Sequence, residues 1–187
     1  YEIAQCLVGS EMCIRDSGAD LIFCAMSGDF TQRGEPAVLE KRIRAKHAVQ
    51  SGADLVAELP LPYAAAGAKD FAEGGVKLLE KMGCTHICFG SECGNISLLE
   101  KAAELIDSDS FNNSLKLHVK AGKSYPVSAE LAGEEYGGVL SAPNNILAVE
   151  YLRALKSVGS AMRPITLTRN TDYCSETVSY THLRAHE

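Results

Sequence analysis

The chain has 187 residues and a formal net charge of −6, from 18 Lys and Arg against 24 Asp and Glu. With 46% hydrophobic and 22% charged residues and only 6 Pro, it is not a disordered, collagen-like or coiled-coil chain, and its length allows one substantial domain, alone or with a small appendage. No apolar run reaches the ~18 residues of a membrane helix, and the acidic balance argues against a surface that binds nucleic acid all over while allowing a local basic face.

The first seventeen residues carry no sustained helix or strand period, nor the basic region and apolar stretch of a secretory leader. Cys6 to Ser17 resembles translated sequencing-adapter sequence, and Val178 to Glu187 resembles its companion string. The expectation is therefore that 1–17 and 177–187 are non-native and that the native stretch runs from Gly18 to about Glu176. Seven cysteines, an odd number with Cys24, Cys84, Cys88 and Cys174 in or beside core-like or functional segments, read as free thiols of a cytoplasmic protein. Cys84, Cys88 and Cys93 lack the paired short spacing of a zinc site, so no metal site is expected.

From Gly18 onward a unit repeats. Gly18-Ala19-Asp20 opens an apolar run from Leu21 to Met26, Gly52-Ala53-Asp54 one from Leu55 to Leu59, and Gly83-Cys84-Thr85 one from His86 to Phe89. The glycines stand 34 and 31 residues apart, the size of a βα unit, and continuously apolar runs suit strands buried on both faces. The pattern predicts a parallel α/β sheet with covering helices. The first helix is predicted to begin at Gly34-Glu35-Pro36, where proline suits the first turn, and the second to run from about Ala68 to Met82 with a Glu73 to Lys77 pair on its outer face. A third is predicted at a capping box, Ser97 with Glu100. A helical region follows through Phe111, Leu115 and Val119, broken by Gly122 and Pro126. Another helix follows Pro143-Asn144-Asn145 and ends at Gly159, and a short strand from Pro164 delivers Arg169 at its end. The predicted domains are a Rossmann-like core over 18–107 that lacks its first strand, and a helical continuation over 108–176.

Three motifs fail on inspection. Gly122-Lys123-Ser124 lacks the leading glycine of a phosphate-binding loop, since position 117 is Leu117. Gly90-Ser91-Glu92-Cys93-Gly94 has Glu92 where a nucleophile elbow needs its nucleophile. No Gly-x-Gly-x-x-Gly occurs, which leaves a dinucleotide-binding dehydrogenase without support.

Ligands of parallel α/β sheets sit beyond the carboxyl ends of the strands. Those ends carry Ser27-Gly28-Asp29-Phe30-Thr31-Gln32-Arg33-Gly34-Glu35, Glu58-Leu59-Pro60 and Phe89-Gly90-Ser91-Glu92. Three polar strand tips converging on one rim favour a site over three unrelated loops. Arg33, Lys41, Arg42, Arg44 and Lys46 make the stretch after the first strand locally basic, either a phosphate-contacting face or a solvated one.

Met26-Ser27-Gly28-Asp29-Phe30, Gln32-Arg33-Gly34-Glu35-Pro36-Ala37, Glu58-Leu59-Pro60, Cys88-Phe89-Gly90-Ser91-Glu92 and Pro143-Asn144-Asn145-Ile146-Leu147 together resemble the bacterial tRNA(Met) cytidine acetate ligase family, over roughly Gly18 to Tyr173. The resemblance implies a nucleotidyltransferase-type Rossmann fold that uses ATP, as a substrate accompanied by Mg2+, to activate acetate as acetyl-adenylate and acetylates N4 of the wobble cytidine of elongator tRNA(Met). It implies ATP contacts at Gly90, at Asn144 or Asn145, and at Arg169, and nucleotide or tRNA contacts at Gln32, Arg33, Glu35, Lys41 and Arg44. The family's His-x-Gly-His turn, which holds the ATP phosphates, has no counterpart in this sequence. A fragment of the ligase with little or no activity is therefore expected. The alternatives are a non-catalytic tRNA-binding module using the basic helix and an adenylyltransferase acting on a small metabolite.

Overall fold

A computed structural model describes residues 2–4, 18–32, 34–133 and 136–169. Five strands form one sheet: β1 Glu2–Ala4, β2 Ile22–Ser27, β3 Leu55–Leu59, β4 His86–Ser91 and β5 Arg163–Thr168. Their order is β3-β2-β1-β4-β5, and every pairing is parallel. Parallel neighbours need long crossovers, and the helices supply them. Helix α1 (Lys41–Gln50) joins β2 to β3; α2 (Leu61–Ala64) and α3 (Ala68–Lys81) join β3 to β4. The last crossover carries α4 (Ile96–Ile106), α5 (Asp109–Lys120), α6 (Tyr125–Ala132), α7 (Gly137–Leu140) and α8 (Pro143–Val158) before β5.

The main core lies where α3, α4 and α8 pack on the sheet. Phe71, Val76 and Leu79 of α3 meet Val149, Leu152 and Leu155 of α8, Leu99 of α4, and Ile87 and Phe89 of β4. The Phe89 ring stacks on Tyr151 with centroids 5.4 Å apart. Burying such side chains is worth ~1.5–3 kcal/mol each, enough for this layer to hold the carboxyl end of β4 against the start of α8.

Several boundaries differ from those the sequence predicts. The core is predicted to lack its first strand, yet Glu2–Ala4 fills the central position, with Glu2 opposite both Ile22 and His86. The physical reason is that the ladder is made by main chain, so three extended residues can take the place between β2 and β4 whatever side chains they carry. The adapter-like stretch from Cys6 to Ser17 and the stretch at 177–187 lie outside the described residues. The first helix begins at Lys41 rather than at Gly34. Pro36 is instead bridged antiparallel to Phe30, Thr31 donates its N–H to the Glu35 carbonyl at 2.9 Å, and Ala37 donates to Asp29 at 2.9 Å. Gly34 makes this turn at φ +76°, a conformation that costs other residues strain. Helix α4 is capped by Asn95, whose side chain accepts the Leu98 N–H at 3.1 Å, and Ser97 lies inside the helix. Pro126 starts α6 rather than breaking it, because the first turn needs no proline N–H. The break falls at Gly122, and Gly159 ends α8 in the left-handed conformation.

Candidate functional site

The carboxyl ends of β2 and β4, the loop after β2, the start of α8 and the residue after β5 enclose a cavity of about 350 Å³. Its floor is apolar, with Ala25, Phe71, Phe89, Leu147 and Tyr151. Its rim is polar, with Ser27, Thr31, Gln32, Arg44, Asn144 and Arg169. Burial pushes the Tyr151 hydroxyl well above its usual pKa, and that hydroxyl makes no hydrogen bond among the described residues.

Arg169 is placed by the sheet. Its N–H donates to the Ser91 carbonyl at 2.9 Å, continuing the β4–β5 ladder. Ser91 is itself pinned, its hydroxyl 2.7 Å from that of Thr166 and accepting the Gly94 N–H at 3.0 Å. The Arg169 side chain then crosses Gly90, where an added Cβ would stand 2.5 Å from Arg169 Cδ. Only glycine leaves that path open. Arg169 Nη1 donates to Asn144 Oδ1 at 2.7 Å.

Asn144 and Asn145 stand in the first turn of α8, after Ala142 at the N-cap and Pro143, and their roles separate. Asn144 walls the cavity. Asn145 is 3% exposed, and its Oδ1 accepts the Cys93 N–H at 3.1 Å, tying the loop after β4 to the helix from behind. Glu92 faces both main-chain N–H groups: Oε1 accepts from Asn144 N at 3.0 Å and from Asn144 Nδ2 at 2.7 Å, and Oε2 accepts from Asn145 N at 2.7 Å. Desolvation raises the pKa of this carboxyl, but the hydrogen bonds from Asn144 and Asn145 outweigh it and hold the group below the ordinary carboxylate value.

The basic stretch is largely engaged with its own chain. Arg44 donates through Nε to the Leu39 carbonyl at 3.0 Å and through Nη2 to the Gly28 carbonyl, which holds its guanidinium on the cavity wall. Lys41 Nζ sits 3.0 Å from Glu58 and 3.4 Å from Asp29. The Glu58 hydrogen bond is the largest influence raising its pKa, with Asp29 adding to it. Gly28 admits Glu58 to this cluster, since a Cβ there would collide with its carboxylate.

Of the residues singled out in the sequence, Gly90, Asn144, Arg169, Gln32 and Arg44 share the cavity wall. Asn145 stands behind it; Lys41 and exposed Glu35 are not part of the wall. Arg33 lies outside the described residues. Sequence reasoning placed Glu92 on a strand tip and in the family motif without giving it a role, and it did not single out Tyr151. Glu92 meets its partners across 52 and 53 residues, a separation that no local spacing signals. A second cavity, of about 310 Å³, has no strand-end residue in its wall, and its Arg153 is held by Asp107 at 2.8 Å and Glu150 at 2.9 Å.

A family model, HIGH Nucleotidyl Transferase, matches residues 11–185. The chain belongs to the HIGH nucleotidyltransferase family. Among curated relatives of this nucleotidyltransferase, a tRNA(Met) cytidine acetate ligase of Acetivibrio thermocellus is 42% identical over 174 residues, covering 87% of this chain and 42% of the relative. A tRNA(Met) cytidine acetate ligase of Syntrophotalea carbinolica is 43% identical over 162 residues, covering 82% and 38%. A crystal structure of Thermotoga maritima TmcAL bound with alpha-thio ATP superposes with a TM-score of 0.78 at 31% identity, covering 90% of this chain and 47% of that one. The chain thus spans less than half the length of the relatives it matches. No helix among the described residues is long and apolar enough to cross a membrane.

Proposed function

We propose that this nucleotidyltransferase is the ATP-binding portion of a ligase that activates acetate as acetyl-adenylate and transfers the acetyl group to N4 of the wobble cytidine of elongator tRNA(Met). The observation that carries the reading is the cavity at the carboxyl ends of β2 and β4, with Arg169 and Asn144 on its rim and Gly90 clearing the way for the arginine. An apolar floor suits a purine ring, and a guanidinium beside an amide suits a phosphate or ribose. Ligase activity on tRNA(Met) named in relatives at about 42% identity and the alpha-thio ATP of the Thermotoga maritima structure support the same choice.

In this reading Gly90, Asn144 and Arg169 contact ATP, which arrives as its Mg2+ complex, and Gln32 and Arg44 are further rim donors toward nucleotide or tRNA. Asn145 supports Asn144 from behind. Binding and turnover are expected to separate in this chain, because the sequence holds no His-x-Gly-His to stabilise charge on the transferring phosphate, a kind of loss that costs ~10²–10³ in rate. Isothermal titration with Mg-ATP tests the binding claim: saturable uptake that R169A weakens at least tenfold supports it, and no uptake defeats it. Pyrophosphate release with acetate, with and without tRNA(Met), tests the rest. Release at an appreciable rate would contradict the expected inactivity, and indifference of that release to tRNA(Met) would favour an adenylyltransferase for a small metabolite.

A further inference from the structure

Asn144 is caught between two groups of opposite demand. A carboxylate such as Glu92 only accepts hydrogen bonds, and a guanidinium such as Arg169 only donates them. The Asn144 amide joins them with Nδ2 to Glu92 at 2.7 Å and Oδ1 to Arg169 at 2.7 Å. Turning the amide over would set donor against donor at Arg169 and acceptor against acceptor at Glu92, so a single orientation satisfies the chain of three. Glu92 also holds the main-chain N–H groups of Asn144 and Asn145, which fixes the backbone from which this amide projects. Glu92 itself does not wall the cavity.

We infer that Glu92 is the positioning residue of the nucleotide site: it dictates the direction of the Asn144 amide and, through it, the place of the Arg169 guanidinium. The inference rests on the ATP-site reading and adds to it a residue that touches no ligand. Glutamine has the shape of glutamate but one oxygen fewer: with that oxygen toward Asn144 it still accepts from Nδ2 and the Asn144 main chain but sets its N–H₂ against the Asn145 N–H, so E92Q loosens the backbone from which the amide projects.

The test is Mg-ATP titration of the full chain and of E92Q, N144A, R169A and the double variant E92Q/N144A, with thermal unfolding of each. E92Q is expected to weaken ATP binding about tenfold on its own and less than twofold once N144A is present, because the relay is then already broken. Its loss of thermal stability is expected in both backgrounds, since the main-chain hydrogen bonds remain. S108A, which removes the side-chain cap of α5, is expected to lower thermal stability and leave ATP binding unchanged.

If the unaltered chain takes up no ATP, the nucleotide reading falls and this inference falls with it. If it binds ATP and E92Q binds as tightly, or E92Q has the same effect with and without N144A, the nucleotide reading stands and the positioning role is overturned. A measurement on the unaltered chain covers the case in which E92Q does not fold. The Asn144 side-chain protons should exchange slowly with solvent, the one bonded to Glu92 shifted downfield, and exchange as fast as that of an exposed asparagine would overturn the inference.

Discussion

At the scale of single residues, the site depends on what is missing as much as on what is present. Gly90 has no Cβ, and the Arg169 stem occupies the space where one would stand. Gly90→Ala should therefore push the guanidinium off Asn144 and weaken Mg-ATP binding about tenfold in a titration. The fold should survive, because what must yield is a flexible side chain rather than main chain. Tyr151 presents the opposite case, a sealed hydroxyl without a partner among the described residues. Removing an unsatisfied buried polar group relieves its desolvation cost of ~1–3 kcal/mol. Tyr151→Phe is expected to raise the unfolding temperature, and a lowered one would mean that the hydroxyl is satisfied in solution. Among the described cysteines, burial pushes the Cys84 thiol up to about 11, and Cys24 and Cys88 are also buried, whereas Cys93 is half-buried. Mass spectrometry after iodoacetamide treatment of the native chain should find Cys93 modified before those three.

At the scale of elements, helix ends decide where side chains stand. Glu92 serves the first turn of α8 from another part of the chain. Because its folded-state pKa lies below the ordinary value of 4.5, its hydrogen bonds contribute stability that is fully present above that value and is lost as pH falls through the lower folded one. Chemical denaturation across the acid range should show this as a decline in stability that E92Q flattens. Asn95 does the local version of the same work on α4, and Asn95→Ala should cost ~1 kcal/mol, read as a Tm lower by roughly 2–4 °C. These ends also mark how far the sequence was legible. Proline and glycine at the two ends of α8 announced themselves because their effect is steric and local. Asn95 was passed over for Ser97, since both residues suit a cap and only the chain's path after β4 chooses between them. Pro36 was misplaced because a proline that suits a helix start also suits the outside of a two-stranded bridge.

At the scale of the whole molecule, the repeated glycine and apolar run made the parallel sheet legible, because burial on both faces leaves few polar residues inside a strand. The site was half legible. Strand ends pointed to Gly90 and Arg169, and the family resemblance added Asn144 or Asn145. Nothing along the chain assigned Glu92, whose partners come near only after α4 to α7 have folded between them. Nor did composition announce β1, because a ladder of main-chain groups asks little of the side chains that accompany it.

That short strand divides the molecule in a way its compact core conceals. Among the described residues, β2 and β3 align at five residue pairs within one half of the sheet and β4 and β5 at six within the other, while β1 joins the halves through two pairs on one side and three on the other. Over those residues the sheet is two panels with a narrow seam. Hydrogen exchange should be faster at the β2 and β4 amides that face β1 than at those facing β3 and β5, and uniform rates would argue against a seam. The cavity straddles it, with Ser27 and Arg44 on one panel and Gly90 and Arg169 on the other. A ligand gripping both walls would act as a clasp, so that ATP, by stabilising the closed arrangement in proportion to its saturation, should slow exchange along the seam more than anywhere else in the chain.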